Sequence, residues 1–208
     1  MKTEVVGEVN EVPAAADFAP AADLGPQLEQ HRARLRKLVG FRMDPRLAPR
    51  VDPSDVVQES FMEAAQRVGE YVRKPSVPFF LWLRALTLQR LAKARRLHAG
   101  RQRRDVNREV RLDAPVGDTS AALVVKLADR NVTPRGQAEQ AERNETLRAA
   151  LDAMDPIDRE VLALRHFEEL SNIEAAEVLG IAPAAASKRH VRALARLRKT
   201  LEALGCDE

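Results

Sequence analysis

Ser171-Asn172-Ile173-Glu174-Ala175-Ala176-Glu177-Val178-Leu179-Gly180-Ile181, followed after a short turn by Ser187-Lys188-Arg189-His190-Val191-Arg192-Ala193-Leu194-Ala195-Arg196-Leu197-Arg198-Lys199, decides the fold. Ser171 can cap a helix start, and Ile173, Ala176 and Val178-Leu179 give that helix an apolar face. Gly180 can take the positive φ that ends it, and Ile181 turns inward. Pro183 suits the first turn of a second helix, where a missing N–H costs nothing. Val191, Leu194, Leu197 and Leu201 are spaced as its buried stripe. Ala184, Ala185, Ser187, Lys188 and Arg192 then lie on or near the outward side. A short helix, a glycine-centred turn and a basic second helix with no acid from Ser187 to Lys199 form a helix-turn-helix pattern suited to a DNA groove.

Working back along the chain, the segment from Glu139 keeps helical spacing through Leu147, Ala150, Leu151 and Met154. Asp155-Pro156 then opens another helix with Ile157, Val161 and Leu164 inside. Four helices are expected in this C-terminal unit, 139–208. Upstream, Asp113-Ala114-Pro115, Gly117-Asp118-Thr119-Ser120 and Thr133-Pro134-Arg135-Gly136 supply turn formers around one short apolar patch, Leu123-Val124-Val125. Residues 105–138 are therefore expected to be a flexible linker, because a loop of that length inside one compact domain is uncommon.

The N-terminal unit, 27–104, also reads as helical. Leu28 to Val39 makes one candidate helix. Asp52-Pro53-Ser54-Asp55 is a start signal for the next, which carries Val57, Phe61, Ala64, Ala65 and Val68 on one face and is expected to stop at Gly69. A loop over Tyr71–Val77 follows. Pro78 opens a long helix through Phe79-Phe80-Leu81-Trp82-Leu83 that turns basic. Nothing alternates as a strand, so the fold class is all-α: two small helical domains joined by a flexible linker.

Charge distribution says more than the net +3 of 34 Lys+Arg against 31 Asp+Glu over 208 residues. Residues 1–30 hold six acids and one base in an Ala- and Pro-rich setting, and residues 1–26 are read as a disordered acidic tail. Arg84 to Arg104 holds eight bases and no acid, a second site for a polyanion far from the first. No apolar run is long enough to span a bilayer and no signal-peptide pattern opens the chain, so a cytoplasmic protein is expected, without a membrane partner. The single cysteine, Cys206, cannot form an internal disulfide, which agrees with a reducing compartment. His31, His98, His166 and His190 are scattered, and neither zinc spacing nor a glycine-rich nucleotide turn is present. No catalytic site, metal or cofactor is expected.

Two stretches carry a resemblance to a family. Asp55-Val56-Val57-Gln58-Glu59-Ser60-Phe61-Met62-Glu63-Ala64, with Phe79-Phe80-Leu81-Trp82-Leu83-Arg84 and the basic helix after it, resembles the second conserved region of bacterial RNA polymerase sigma factors of the extracytoplasmic-function type. Met154-Asp155-Pro156-Ile157-Asp158-Arg159-Glu160-Val161-Leu162 and the helix-turn-helix down to Leu197 resemble the fourth region. The resemblance takes in everything but the acidic tail and the linker interior. It implies a non-catalytic subunit that joins core RNA polymerase and directs promoter recognition and transcription initiation.

On the helix that docks on polymerase in that family, the corresponding candidates are Asp55, Gln58, Glu59 and Phe61. Carboxylates and an amide offer salt-sensitive pairing, and Phe61 is either an aromatic anchor or plain core. For the melted minus-10 element the candidates are Tyr71, Arg73, Lys74, Arg84, Gln89, Arg90 and Lys93, which supply cations for phosphates and a π-face for an unstacked base. Gln89 stands near a position where the family commonly has Asn. Trp82 is read as structural. For the minus-35 element the candidates are Ala184, Ala185, Ser187, Lys188, Arg189 and Arg192. An anti-sigma factor is the further partner such a protein can have. A stand-alone helix-turn-helix regulator and a sigma-like interaction module that does not transcribe remain the alternative readings of the same residues.

Overall fold

The computed structural model describes residues 23–98, 119–128 and 137–203, and all of its regular structure there is helical. Residues 1–22 of the acidic tail, residues 99–104 at the end of the basic run, residues 105–118 and 129–136 of the linker, and Cys206 lie outside the described residues. The elements are α1 (Leu24–Glu29), α2 (Arg32–Arg42), α3 (Pro53–Arg73), α4 (Phe79–His98), α5 (Thr119–Ala128), α6 (Gln137–Asp152), α7 (Pro156–His166), α8 (Asn172–Leu179) and α9 (Pro183–Ala203).

Two Asp-Pro dipeptides start helices in the same way. The Asp52 carboxylate accepts from the Ser54 amide at 2.6 Å and that of Asp155 from the Ile157 amide at 2.8 Å, while Pro53 and Pro156 fill first-turn positions that need no donor. These amides hold both carboxyls below the usual aspartate range. Gly69 does not end α3, which continues a further turn to Arg73. A single glycine costs a helix only about 1 kcal/mol, less than the packing of Tyr71 beyond it. Consequently Tyr71, expected in a loop, closes the helix with its ring buried. The expected first helix is two: α1 ends at Glu29 and α2 starts at Arg32.

α2, α3 and α4 pack around Leu35, Leu38, Val57, Phe61, Phe79 and Leu83. α5 to α9 pack around Leu123, Leu151, Val161, Leu162 and Ala193. The two cores interlock. Leu164, Leu170, Ala175 and Val178 from the C-terminal helices join the first, and Phe41 from α2 joins the second, where its ring stacks on Phe167 at 4.9 Å. The apolar patch in the expected linker forms the ten-residue α5. Burial of Leu123 and Val124 against neighbouring helices supplies the tertiary contacts that let so short a helix persist.

Polar groups complete the joint. The buried Arg42 donates from Nε to Glu168 Oε1 at 2.6 Å, pairs with Glu160, and reaches Thr119 Oγ1 at 3.0 Å. The buried Arg84 donates from Nε to the other Glu168 oxygen at 2.7 Å. One carboxylate after α7 therefore joins α2 and α4. Burial alone would raise the Glu168 carboxyl, but Arg84 and Arg42 outweigh it and hold it below the usual glutamate range. Around this centre, Arg34 pairs with Glu174 at 3.4 Å and lies over Phe80 at 3.6 Å, and Lys37 pairs with Glu169 at 2.5 Å.

Candidate nucleic-acid and protein interfaces

The helix-turn-helix is built from its caps inward. Ser171 and Glu174 form a reciprocal capping box, the Glu174 amide donating to Ser171 Oγ at 3.1 Å and the Ser171 amide to Glu174 Oε2 at 2.7 Å. Gly180 ends α8 at φ 63°, with the Ile181 amide reaching the Ala176 carbonyl at 3.1 Å. Asn172 Nδ2 then donates to the Pro183 carbonyl at 2.9 Å, which ties the start of one helix to the start of the next.

α9 buries Ala186 and Ala193, with Leu197 and Leu201 packed against the same core. Small side chains set that face, so α9 lies close to α7 and α8. The expected stripe is corrected at two positions: Val191 is 63% exposed and Leu194 37%. The reason is register. Ala193 is fully buried in the C-terminal core, which turns Val191 outward beside Lys188 and Arg192. Ala184, Ser187, Lys188 and Arg192 are exposed and Ala185 is half-buried.

Arg189 is committed differently. It donates to the buried Asp158 at 2.9 Å and pairs with Asp155 at 3.5 Å, while Arg196 reaches the other Asp158 oxygen at 3.0 Å. Asp158 thus clamps α9 to α7 through two arginines. His190 faces His166 with their Nε2 atoms 2.8 Å apart. Burial lowers both imidazoles below the usual histidine value; Arg165 adds to this for His166, and His166 and Arg165 add to it for His190.

Along α3, Asp55, Gln58 and Glu59 are exposed, whereas Phe61 is buried under the Arg32 guanidinium, 4.9 Å from its ring. Of the two roles open to Phe61, the structure gives it the core one. Arg32 also donates to Gln58 Oε1 at 3.2 Å. The exposed apolar residue here is Met62, 59% accessible, three residues beyond Glu59 and so on the same stripe. The apolar face read from the sequence, Val57, Phe61, Ala64, Ala65 and Val68, leaves Met62 outside it, and that was the signal for an apolar side chain on the open side.

The minus-10 candidates divide by burial. Arg73, Lys74 and Lys93 are exposed, and Gln89 and Arg90 are half-buried. Arg90 is held by Glu63 at 2.5 Å and by Glu59 at 3.8 Å. Tyr71 and Arg84 depart from the expectation of an accessible surface. Tyr71 donates its hydroxyl to the Val77 carbonyl at 2.9 Å and stacks on Trp82 at 4.9 Å; Arg84 lies in the Glu168 joint. Each is interior because its polar end finds a partner there. Trp82 is half-buried within the same aromatic group.

Among the described residues no His, Cys, Asp and Glu group could hold a metal ion, and no helix is long and apolar enough to cross a membrane.

Comparison with known proteins adds relatives. Residues 144–197 match the family model described as sigma-70, region 4. The chain is 32% identical over 151 residues to a probable RNA polymerase sigma factor, RfaY, of Xanthomonas campestris, covering 71% of this chain but 33% of that protein. It therefore spans only about a third of that relative. It is 31% identical over 157 residues to the RNA polymerase sigma factor CnrH of Cupriavidus metallidurans, covering 74% of this chain and 76% of that protein. A solved structure of CnrH in complex with the cytosolic domain of CnrY aligns at 24% identity over 86% of this chain and 87% of that one, with a TM-score of 0.45.

Proposed function

The chain belongs to the RNA polymerase sigma factors of the extracytoplasmic-function type, and from that premise we propose that it joins core RNA polymerase, directs it to promoters and takes no catalytic part itself. The observation that carries this is the pairing of two open faces: Asp55, Gln58, Glu59 and Met62 on α3, and Ala184, Ser187, Lys188, Val191 and Arg192 on α9. The first offers acids around one flexible apolar side chain, a combination suited to a basic protein surface with an apolar pocket. The second offers two cations, a hydroxyl and small apolar groups, which suit phosphates, base edges and a thymine methyl.

The division of labour follows the proposed domains. Residues 27–104 dock on polymerase and hold the melted minus-10 element through Arg73, Lys74, Gln89, Arg90 and Lys93; residues 139–208 read the minus-35 element; residues 105–138 connect them. Arg189 acts by holding α9 in place, as its bonds to Asp158 and Asp155 support. Two tethered domains gain effective concentration on one promoter once polymerase fixes their spacing.

The experiment is co-elution of the purified chain with bacterial core polymerase, followed by transcription from a promoter selected with that complex. Met62→Glu is expected to abolish co-elution, and Lys188→Glu with Arg192→Glu to preserve co-elution while abolishing promoter-directed transcription. Tight binding of the free chain to palindromic DNA, with no association with polymerase, would replace this reading with a stand-alone regulator.

A further inference from the structure

A cleft of about 660 Å³ opens where the end of α2, the turn after it, the end of α4, α5 and α6 meet. Its rim carries Arg46, Arg95, Lys126 and Arg148, all exposed, against one carboxylate, Asp44. Among the described residues Arg46, Arg95 and Lys126 make no ion pair, while Arg148 pairs with Asp152 at 3.6 Å. The floor is apolar, with Phe41, Leu47 and Leu91 buried and Val125 42% exposed. Clefts of about 300–1,000 Å³ with such a floor and a few placed charges are the usual form of a binding site. This one asks for a ligand that is acidic and apolar at once.

The chain contains such a segment. Glu4-Val5, Glu8-Val9 and Glu11-Val12 repeat an acid followed by a valine three times within residues 1–22, which hold only one base, Lys2. The twelve steps from Glu11 to Asp23 at the start of α1 span up to about 40 Å when extended, more than the roughly 30 Å width of a small domain. The tether keeps the segment at about millimolar effective concentration. We propose that the cleft is the docking site of the chain's own N-terminal segment, with Glu4, Glu8 and Glu11 held by Arg46, Arg95 and Lys126 and the valines laid against the apolar floor. The docked segment bridges α2 and α4 to α5, and it covers Arg95, part of the basic run.

The test uses the full chain with Asn10→Cys carrying a nitroxide in a Cys206→Ser background, and reads paramagnetic broadening of backbone amides by NMR. At about 50 mM salt, where surface charges are weakly screened, the Gly40, Ala121 and Ala122 amides are expected to lose at least half their intensity and those of Ala184 and Ser187 to keep theirs. Arg46→Glu with Lys126→Glu, or about 0.5 M salt, is expected to restore the intensity. Adding Glu8→Lys and Glu11→Lys to the reversed rim is expected to bring the broadening back. Unchanged Leu35 and Leu162 shifts show that the variants remain folded, and the salt arm needs no variant. Full intensity at the cleft, broadening on α9 instead, or broadening indifferent to both rim reversal and salt would each overturn the proposal.

Discussion

Replacing Glu168 by alanine should destabilise this protein more than removing any other single carboxylate among the described residues. The side chain is buried, and its two oxygens accept from Arg42 Nε at 2.6 Å and Arg84 Nε at 2.7 Å. Loss of one partner from a buried ion pair costs about 3–5 kcal/mol, chiefly because the opposite charge stays desolvated. Arg42 keeps Glu160 and Thr119, so we place Glu168→Ala near the lower end, about 3 kcal/mol. That is a large part of a total stability of about 5–15 kcal/mol. Glu169, the next residue, is the control: its pair with Lys37 is 51% and 58% exposed, and its loss should cost about 0–1 kcal/mol. Urea unfolding followed by the single tryptophan, Trp82, and by circular dichroism gives both values. The carboxyl lies below the usual glutamate range when folded, so its contribution is complete above the unfolded value of about 4.3 and disappears as pH falls through the folded one. Wild type should therefore lose more stability on acidification than Glu168→Ala. Equal costs for the two alanine variants, or parallel acid profiles, would refute the assignment of the joint to a buried ion network.

The remaining expectations concern the helix-turn-helix and α3. Both imidazoles of the His166–His190 pair are lowered, so NMR titration should place both below about 6.5, and stability of α7 against α9, complete above that value, should fall as pH drops through the folded pKa values. Gly180→Ala, at φ 63° with no atom within 4 Å of the point a β-carbon would occupy, should lose about 1–2 kcal/mol through backbone strain alone, read as a lower urea midpoint with unchanged slope. Asp158→Asn weakens the hold on Arg189 and Arg196; it should lower promoter affinity without touching the exposed α9 face, while polymerase co-elution stays intact. Met62→Ala should weaken polymerase association at unchanged urea midpoint, since the side chain is 59% exposed.

What the sequence disclosed was local. Ser171 and Glu174 stand three apart, Gly180 follows a helical run, and Asp-Pro precedes two apolar faces; each signal is satisfied by neighbours in the chain and each element formed. What it hid was long-range. Arg84 sat at the head of an acid-free basic run, and its carboxylate partner lies 84 residues away. Tyr71 looked accessible beside Arg73 and Lys74 because the acceptor for its hydroxyl, the Val77 carbonyl, becomes available only when the backbone turns. Val191 was misplaced in the buried stripe because hydrophobicity ranks valine first, whereas close helix packing admits Ala193 there. α5 was lost among turn formers because its stability comes from Leu123 and Val124 meeting other helices. On α3 the exposed stripe of Asp55, Gln58 and Glu59 also takes in Met62, while Phe61 beside it lies in the core.

The two findings about Arg84 meet in one constraint. A guanidinium can serve a promoter phosphate only if it is accessible, and here Arg84 is 2% exposed with Glu168 on its Nε. The exposed cations Arg73, Lys74 and Lys93 are open to a polyanion with the helices as they stand; Arg84 is open to one only after Glu168 withdraws. Withdrawal of Glu168 also removes a partner from Arg42, and the apolar contacts of Leu164 and Leu170 with the first core lie beside it. A phosphate alone would exchange one anion for another at Arg84 and leave the rest of that cost uncompensated. The balance changes when another surface takes up the exposed groups at the same time, as an extended protein partner can. Arg84 is therefore a residue of the joint between the two halves, and the cations open to solvent among the minus-10 candidates are Arg73, Lys74 and Lys93.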